Sequence, residues 1–190
     1  MITRTDQVAA GTALGMFFIV AICAALGVRT VQQHHLQRQV SHAISALAEG
    51  AIYGGDGTTI MQQQRNDCGI AALLTVLQTR GVQENLDSLR TEIKLSQQGA
   101  SLLQLRKVAE AHGVRAVSWS LTMSDLRDAP LPAILFVHGD HFVVLVRFVN
   151  PFLVEIHDPA LGRLYVPTVS LEHSWSGECL IFDDNWSPKS

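Results

Sequence analysis

Residues 61–74, MQQQRNDCGIAALL, join a polar run to an apolar run at a single cysteine, Cys68. The apolar residues that follow the cysteine predict a buried helix. Three leucines fit one face of that helix: Leu73, Leu74 and Leu77. Asp67 stands where an N-cap or first-turn acid is expected, which places Cys68 in the first turn.

A cysteine in the first turn of a helix is a candidate nucleophile. The helix N-terminus carries partial positive charge, which favours the nucleophilic thiolate over the thiol. Gln62 lies six residues upstream and can return to the same place, where its amide would donate hydrogen bonds to an oxyanion. Three neighbouring amides compete with it for that role: Gln63, Gln64 and Asn66.

A thiolate nucleophile needs a base, and the base needs a group that orients it. His141 begins an apolar, strand-like run, and Asp158 follows a second such run and precedes a turn. Cysteine, histidine and aspartate in this order, with the last two on neighbouring strands, form a papain-like arrangement. The chain therefore offers a complete set of residues for cysteine-based acyl transfer.

Other residues near these strands compete for the same roles. His138 lies in a predicted turn, and His157 directly precedes the aspartate, whereas His141 alone begins a hydrophobic strand that would hold its ring on rigid structure. Asp140 is an alternative orienting group, although neighbours along a strand point to opposite faces. Asp158 also fits a purely structural role as a turn residue before a proline.

The same residues resemble the motifs of the C39 peptidase family, the double-glycine leader peptidases found as N-terminal domains of bacteriocin-exporting ABC transporters. The resemblance covers roughly residues 57–184. Three motifs carry it in the family's order: Gln62 with Asp67-Cys68-Gly69, His141 to Leu145, and Asp158 to Gly162. It implies four roles: Cys68 as nucleophile, His141 as base, Asp158 as orienting group and Gln62 as oxyanion donor.

The resemblance also implies a function, a cysteine endopeptidase that cleaves leader peptides of bacterial secretion substrates, with Gly-Gly as the expected site. Family members without an ATPase occur beside peptide-export and functional-amyloid systems. The implied partners are a leader-bearing substrate and a separate exporter or secretion complex. The alternative is a non-catalytic, leader-binding chaperone of an exporter. The presence of Cys68 favours the enzyme, since degenerate members usually lack that cysteine. Another papain-like hydrolase or acyltransferase is a third, weaker option.

The predicted fold class is α+β, papain-like, with N-terminal helices packed on an antiparallel sheet and a transmembrane helix before them. Four helices are predicted from capping and periodicity: Cys68 to Arg80, Glu84 to Ile93, Leu102 to His112, and a short one from Thr122 to Asp128. Six strands are predicted: 114–120, 133–137, 141–149, 152–157, 163–166 and 178–182. A single helical turn is expected over residues 169–173.

Composition excludes several classes of function. The net charge of −3 and the lack of a basic stripe give no footprint for nucleic acid. Neither C-x-x-C nor H-E-x-x-H occurs, so no metal site and no cofactor are expected. Cys179 is predicted to be a small buried side chain, and a disulfide between it and Cys68 would silence the nucleophile.

The 190 residues suggest one domain with an N-terminal extension. After a tail over residues 1–10, the apolar stretch 11–28 is long enough to cross a bilayer. An anchor is favoured there over the rival interpretation, a cleaved signal peptide. Residues 29–56 are predicted as a stalk helix and glycine-rich linker, residues 57–184 as the peptidase domain and residues 185–190 as a tail.

The sequence carries only weak signals for the side of the membrane on which the catalytic domain lies. Arg4 precedes the apolar stretch, whereas Arg29 and Arg38 follow it, and these charges alone slightly favour a cytoplasmic domain. A short tail before one hydrophobic segment is nevertheless the usual form of a signal anchor that delivers its domain outside. The expectation is a single-pass protein of the bacterial inner membrane with a periplasmic catalytic domain, with the cytoplasmic placement left open.

The linker contains a double glycine of its own, Gly54-Gly55, after Ile52 and Tyr53. The resembled family cuts such sites, and self-processing here would release the domain from its anchor. The apolar residues before the glycines match a leader only loosely. Plain linker glycines are therefore the favoured interpretation.

Overall fold

The computed structural model describes residues 46, 49–55, 57–97 and 99–188. The anchor predicted for residues 11–28 and most of the predicted stalk lie outside these residues. Within the described part of the chain, no helix combines the length and the apolar character that a membrane crossing requires.

Helices come first in the chain and strands later. Five helices are described: α1 (Cys68–Thr79), α2 (Leu86–Ile93), α3 (Leu102–Ala111), α4 (Met123–Asp128) and α5 (Thr168–Ser174). Seven strands are described: β1 (Ile52–Tyr53), β2 (Val117–Ser120), β3 (Ala133–Val137), β4 (His141–Asn150), β5 (Leu153–Asp158), β6 (Gly162–Pro167) and β7 (Trp175–Ile181).

The strands form one antiparallel sheet in the order β1-β6-β5-β4-β3-β7-β2. Helices α1, α2 and α3 share a hydrophobic cluster with one face of the sheet, where Leu73 and Leu105 meet Val144. The opposite face carries a second cluster, which includes Leu145 of β4 and Leu171 of α5. The predicted α+β architecture of helices on an antiparallel sheet is confirmed.

Helix α1 is buried from Cys68 to Leu77, as predicted from its apolar sequence, and the burial extends beyond the face that carries the three leucines. It lies between the sheet and the other two helices of its cluster, so every face of it meets apolar side chains. A helix surrounded in this way needs no polar stripe, which is why its sequence is almost continuously apolar.

The helix boundaries follow from capping. Helix α2 begins at Leu86 and not at Glu84, because the Asn85 side chain accepts a hydrogen bond from Ser88 N at 3.0 Å and so occupies the N-cap. Helices α3 and α4 begin close to their predicted starts, and each begins with a capping box, at Ser101 and at Thr122. Strand β2 is shorter than predicted and starts at Val117.

The end of the predicted stalk and its linker are corrected by the structure. Ile52–Tyr53 form an edge strand rather than the end of a helix. Gly54 N donates to Arg163 O at 2.7 Å, and Arg163 N donates to Gly55 O at 2.8 Å, so the glycines predicted as a flexible link are held on the edge of β6. Two paired residues are too few to produce an alternation that sequence reasoning can detect.

Candidate active site

Cys68 opens helix α1 and is buried, with 9% of its surface exposed. The residue after it must be small, because a Cβ added to Gly69 would lie 3.0 Å from the Phe142 ring and 3.3 Å from Leu105. The glycine therefore allows α1 to approach β4 closely. That approach brings the residue before Gly69 toward the residue before Phe142, which is His141.

His141 and Asp158 form a buried ion pair at the ends of two neighbouring strands. His141 Nε2 lies 2.9 Å from Asp158 Oδ1, with the two side chains 7% and 9% exposed. The His141 ring is also within hydrogen-bond reach of the Cys68 sulfur. The structure thus brings three of the predicted site residues into one contiguous row.

The charges in this row act on the histidine. Burial by itself lowers the pKa of His141, but the Asp158 carboxylate and then the Cys68 sulfur outweigh it and raise that pKa from 6.5 to about 10. The ring is therefore an imidazolium at neutral pH. A cation beside the sulfur stabilises thiolate, the form that attacks carbonyl carbon.

The turn after β5 joins the aspartate to the predicted oxyanion donor. Asp158 Oδ1 also accepts a hydrogen bond from Ala160 N at 2.7 Å, so the aspartate serves both as a turn residue and as a partner of His141. In the same turn, Pro159 O accepts a hydrogen bond from Gln62 N at 2.8 Å. The half-buried Gln62 is thereby held to the loop that carries Asp158.

The rival residues occupy other places. His138 and Asp140 are exposed in the turn before β4. His157 is buried, but it lies on β5 with its Nε2 3.6 Å from Glu155 Oε1, and burial lowers its pKa. Cys179 is fully buried on the opposite face of the sheet from Cys68, where burial raises the pKa of its thiol to about 12. Both Cys68 and Cys179 are free thiols.

Sequence reasoning missed one residue next to the site, Arg90 of α2. Asp67 is fully buried at the N-cap position of α1, but its side chain does not cap the helix. It instead binds the Arg90 guanidinium through Nε, at 3.1 Å, and through Nη2. An invariably charged residue on a short amphipathic helix gives no local signal of such a contact.

Residues 56–187 match the model of the Peptidase C39 family. The chain belongs to the Peptidase C39 family, whose members are cysteine-type peptidases. The region predicted from the three motifs, roughly residues 57–184, coincides with the matched residues, so that resemblance is confirmed at the level of the family. Among the residues with described positions, no group of three or more His, Cys, Asp or Glu side chains is placed to hold a metal ion.

Relatives of the chain include longer proteins. The probable microcin-H47 secretion/processing ATP-binding protein MchF of Escherichia coli is 34% identical over 121 residues, which is 64% of this chain but 17% of that protein. The probable functional amyloid protease FapD of Pseudomonas aeruginosa is 31% identical over 129 residues, 60% of this chain and 56% of that protein. The chain therefore matches only part of the length of either relative.

A solved structure shows the same fold. The double glycine motif protease from an AMS/PCAT transporter, crystallised in complex with the leader peptide, superposes with a TM-score of 0.63 and 31% identity. The superposition covers 65% of this chain and 89% of that one. The papain-like C39 fold predicted from the sequence is thereby confirmed.

Replacing Asp158 by asparagine should lower the pKa of His141, because burial then acts without the opposing carboxylate. We expect the protonation midpoint of the ring, followed by NMR of the labelled imidazole, to fall well below the wild-type value of about 10. In the wild type, the ion pair of the His141 imidazolium adds to the free energy of unfolding. This contribution is fully present below pH 6.5, the pKa of a free histidine, and is lost as the pH rises through about 10. The exposed neighbour provides a control, Asp140→Asn, which should leave the midpoint unchanged. An unchanged midpoint in Asp158→Asn would show that the carboxylate does not hold the proton.

Proposed function

We propose that this chain is a cysteine endopeptidase that removes leader peptides by cutting after a Gly-Gly pair. The observation that carries the proposal is the row of Cys68, His141 and Asp158, in which a buried ion pair abuts the sulfur at the start of a helix. The His141 imidazolium therefore holds a proton next to the nucleophile. That arrangement suits acyl transfer.

The mechanism follows from the positions of these groups. The Cys68 thiolate attacks the carbonyl carbon of the glycine at the cleavage site, and the carbonyl oxygen becomes an oxyanion. The Gln62 amide and the Cys68 backbone N–H donate hydrogen bonds to that oxyanion. The His141 imidazolium then gives its proton to the leaving amine, and the C–N bond breaks. Water attacks the thioester while the neutral ring takes a proton from it, and collapse of the second tetrahedral intermediate releases the leader acid and the thiolate.

Gln62 is suited to the oxyanion role by its surroundings. Its backbone is fixed to Pro159, in the turn of the proposed orienting aspartate. Its side-chain Oε1 is buried and makes no hydrogen bond with the described residues. No described contact therefore holds the amide through that oxygen, and the group that would donate to the oxyanion is its NH2. Its competitor Gln63 is committed, since its Oε1 accepts from Arg90 Nη1 at 3.2 Å.

The substrate class is supported by relatives. The AMS/PCAT protease at 31% identity was crystallised with a leader peptide, and MchF is described as a secretion/processing protein. FapD, at 31% identity, is described as a probable functional amyloid protease. We therefore propose that this chain acts beside a separate bacterial exporter or secretion complex whose substrates carry a leader. The alternative function is leader binding without cleavage. That function does not require a buried charge pair beside Cys68.

The first experiment incubates the full-length chain with a double-glycine leader peptide and identifies the products by mass spectrometry. We expect cleavage after Gly-Gly by the wild type and none by Cys68→Ala, because the nucleophile is lost. The matched control is Cys179→Ala, which removes the buried thiol on the opposite face of the sheet and should retain cleavage. Binding of the peptide without cleavage by the wild type would replace the enzyme by the chaperone. Equal cleavage by Cys68→Ala would remove Cys68 from the mechanism.

The oxyanion role of Gln62 predicts a loss confined to the chemical step. Gln62→Ala should lower kcat by about 10²- to 10³-fold, the usual effect of losing one oxyanion donor, with a much smaller change in KM. Gln64→Ala is the matched control, because that side chain is exposed. Steady-state kinetics on the same peptide measure both constants. Equal kcat values for the two variants would assign the oxyanion to another donor.

We also propose that residues 11–28 anchor the protein in the inner membrane with the catalytic domain in the periplasm. The support is the length of this apolar stretch and the short tail before it. Proteinase K added to spheroplasts should digest a C-terminally tagged chain, and alkaline extraction should leave intact chains in the membrane fraction. Protection from the protease until the cells are lysed would place the domain in the cytoplasm. Release by alkaline extraction would contradict the anchor.

A further inference from the structure

The loop from Gln63 to Asp67 separates the proposed oxyanion donor from the proposed nucleophile. Its last residue is a fully buried carboxylate. Asp67 Oδ1 accepts a hydrogen bond from Gln64 N at 3.1 Å, and Oδ2 accepts a longer one from Gln63 N at 3.4 Å. The Asp67 side chain therefore bonds back to the backbone of its own loop, directly before Cys68.

Arg90 reaches this loop from helix α2. Its Nε and Nη2 both donate to Asp67 Oδ2, and its Nη1 donates to Gln63 Oε1 at 3.2 Å. The guanidinium side chain is 13% exposed. Its hydrogen bond with Asp67 raises the pKa of Arg90 against the opposing effect of burial. We call Arg90, Asp67 and Gln63 the loop clamp.

The clamp is also held from its own helix. Arg90 Nη1 lies 2.5 Å from Oδ1 of the exposed Asp87, one turn earlier on α2. This second carboxylate orients the guanidinium toward the loop without being buried itself. The planar fork of arginine suits this arrangement, because it binds several oxygens in fixed directions, whereas a lysine ammonium acts as a point charge.

Two consequences for the site follow. The upstream end of the loop is fixed at Gln62 by the hydrogen bond to Pro159 O, and its downstream end is fixed by α1. The loop clamp therefore determines the backbone conformation between these two ends. The second consequence is electrostatic. A buried, unpaired carboxylate next to Cys68 would disfavour the thiolate, and the Arg90 cation cancels that charge.

We propose that Arg90 is a positioning residue for the reaction: acting through Asp67 and Gln63, it holds Gln62 and Cys68 in register and balances the charge beside the thiolate. Arg90 contacts neither the Cys68 sulfur nor the His141–Asp158 pair in any described contact, so its action is indirect. The inference rests on the proposed function, since register matters only if the two residues act on one substrate.

The experiment separates charge from geometry with three variants of the full-length chain. Arg90→Lys keeps the charge and loses the fork, Arg90→Gln loses both, and Asp67→Asn combined with Arg90→Gln removes both charges of the pair. The matched control is Arg106→Gln, which breaks the exposed ion pair of Arg106 with Glu110 on α3. All are made in a Cys23→Ala, Cys179→Ala background, which leaves Cys68 as the sole thiol of the three.

Two measurements are made on each protein. The first is the rate of Cys68 alkylation by iodoacetamide as a function of pH, which reports thiolate without requiring peptidase activity. The second is kcat and KM on a double-glycine leader peptide, with the active fraction counted from the stoichiometry of alkylation. Dividing the rate by the number of active molecules removes the effect of partial unfolding on kcat. The thermal unfolding midpoint of each variant is measured as well.

We expect Arg90→Lys to keep the alkylation profile and to lose kcat by about 10- to 100-fold with KM little changed, the size of effect that small misplacement produces. Arg90→Gln should also shift alkylation to higher pH. The double variant should restore the alkylation profile while kcat stays low. Arg106→Gln should match the wild type in both measurements.

Other outcomes overturn the inference. If kcat per active molecule in Arg90→Lys stays within about 2-fold of the wild type, the clamp is an ordinary structural ion pair. The same conclusion follows if Arg90→Gln leaves the alkylation profile unshifted. If the wild type cleaves no leader peptide, the proposed function fails. In that case the alkylation profiles still decide whether Arg90 balances the charge beside Cys68.

Discussion

The close contact between helix α1 and strand β4 is the constraint on which the site depends. A Cβ at position 69 would lie 3.0 Å from the Phe142 ring, closer than side chains ordinarily approach. Cys68 and His141 are the residues immediately before this contact on each element, so one van der Waals approach brings sulfur and imidazole together. The helix cannot slide, because it is buried from Cys68 to Leu77 by the sheet and two other helices. Dense packing of this kind fixes the position of Cys68 relative to His141.

Two charge pairs lie near Cys68, one at its sulfur and one at the residue before it in the chain. Isolated buried charges are strongly unfavourable, and each member here is retained because its partner and its hydrogen bonds compensate for the lost water. His141 with Asp158 places a cation beside the sulfur, whereas Asp67, one residue before Cys68, is paired with Arg90. The first pair belongs to the sheet and the second to the helices. The site therefore lies where the two layers of the fold meet.

Much of the fold was predictable, because its signals are local. The capping boxes at Ser101 and Thr122 mark the starts of α3 and α4, and the apolar runs of β3 and β4 mark the central strands. The boundaries of α2 and β2 were less accurate, since competing polar residues blur the ends of an element. Strand β1 escaped prediction altogether, because its two residues become a strand only by pairing with β6. The predicted anchor and the proposed site roles remain predictions.

The sequence by itself determined the family, the order of helices and strands, and the candidates Cys68, His141, Asp158 and Gln62, because motif spacing and periodicity are properties of neighbouring residues. Only the tertiary structure showed which of the rival residues lie together. It put Asp140 and His138 in solvent, turned His157 toward Glu155, and brought Asp158 to His141. It also joined Arg90 to Asp67 across 23 positions of the chain. Such contacts depend on how the layers pack, and no local pattern of residues encodes the distance between two side chains on different elements.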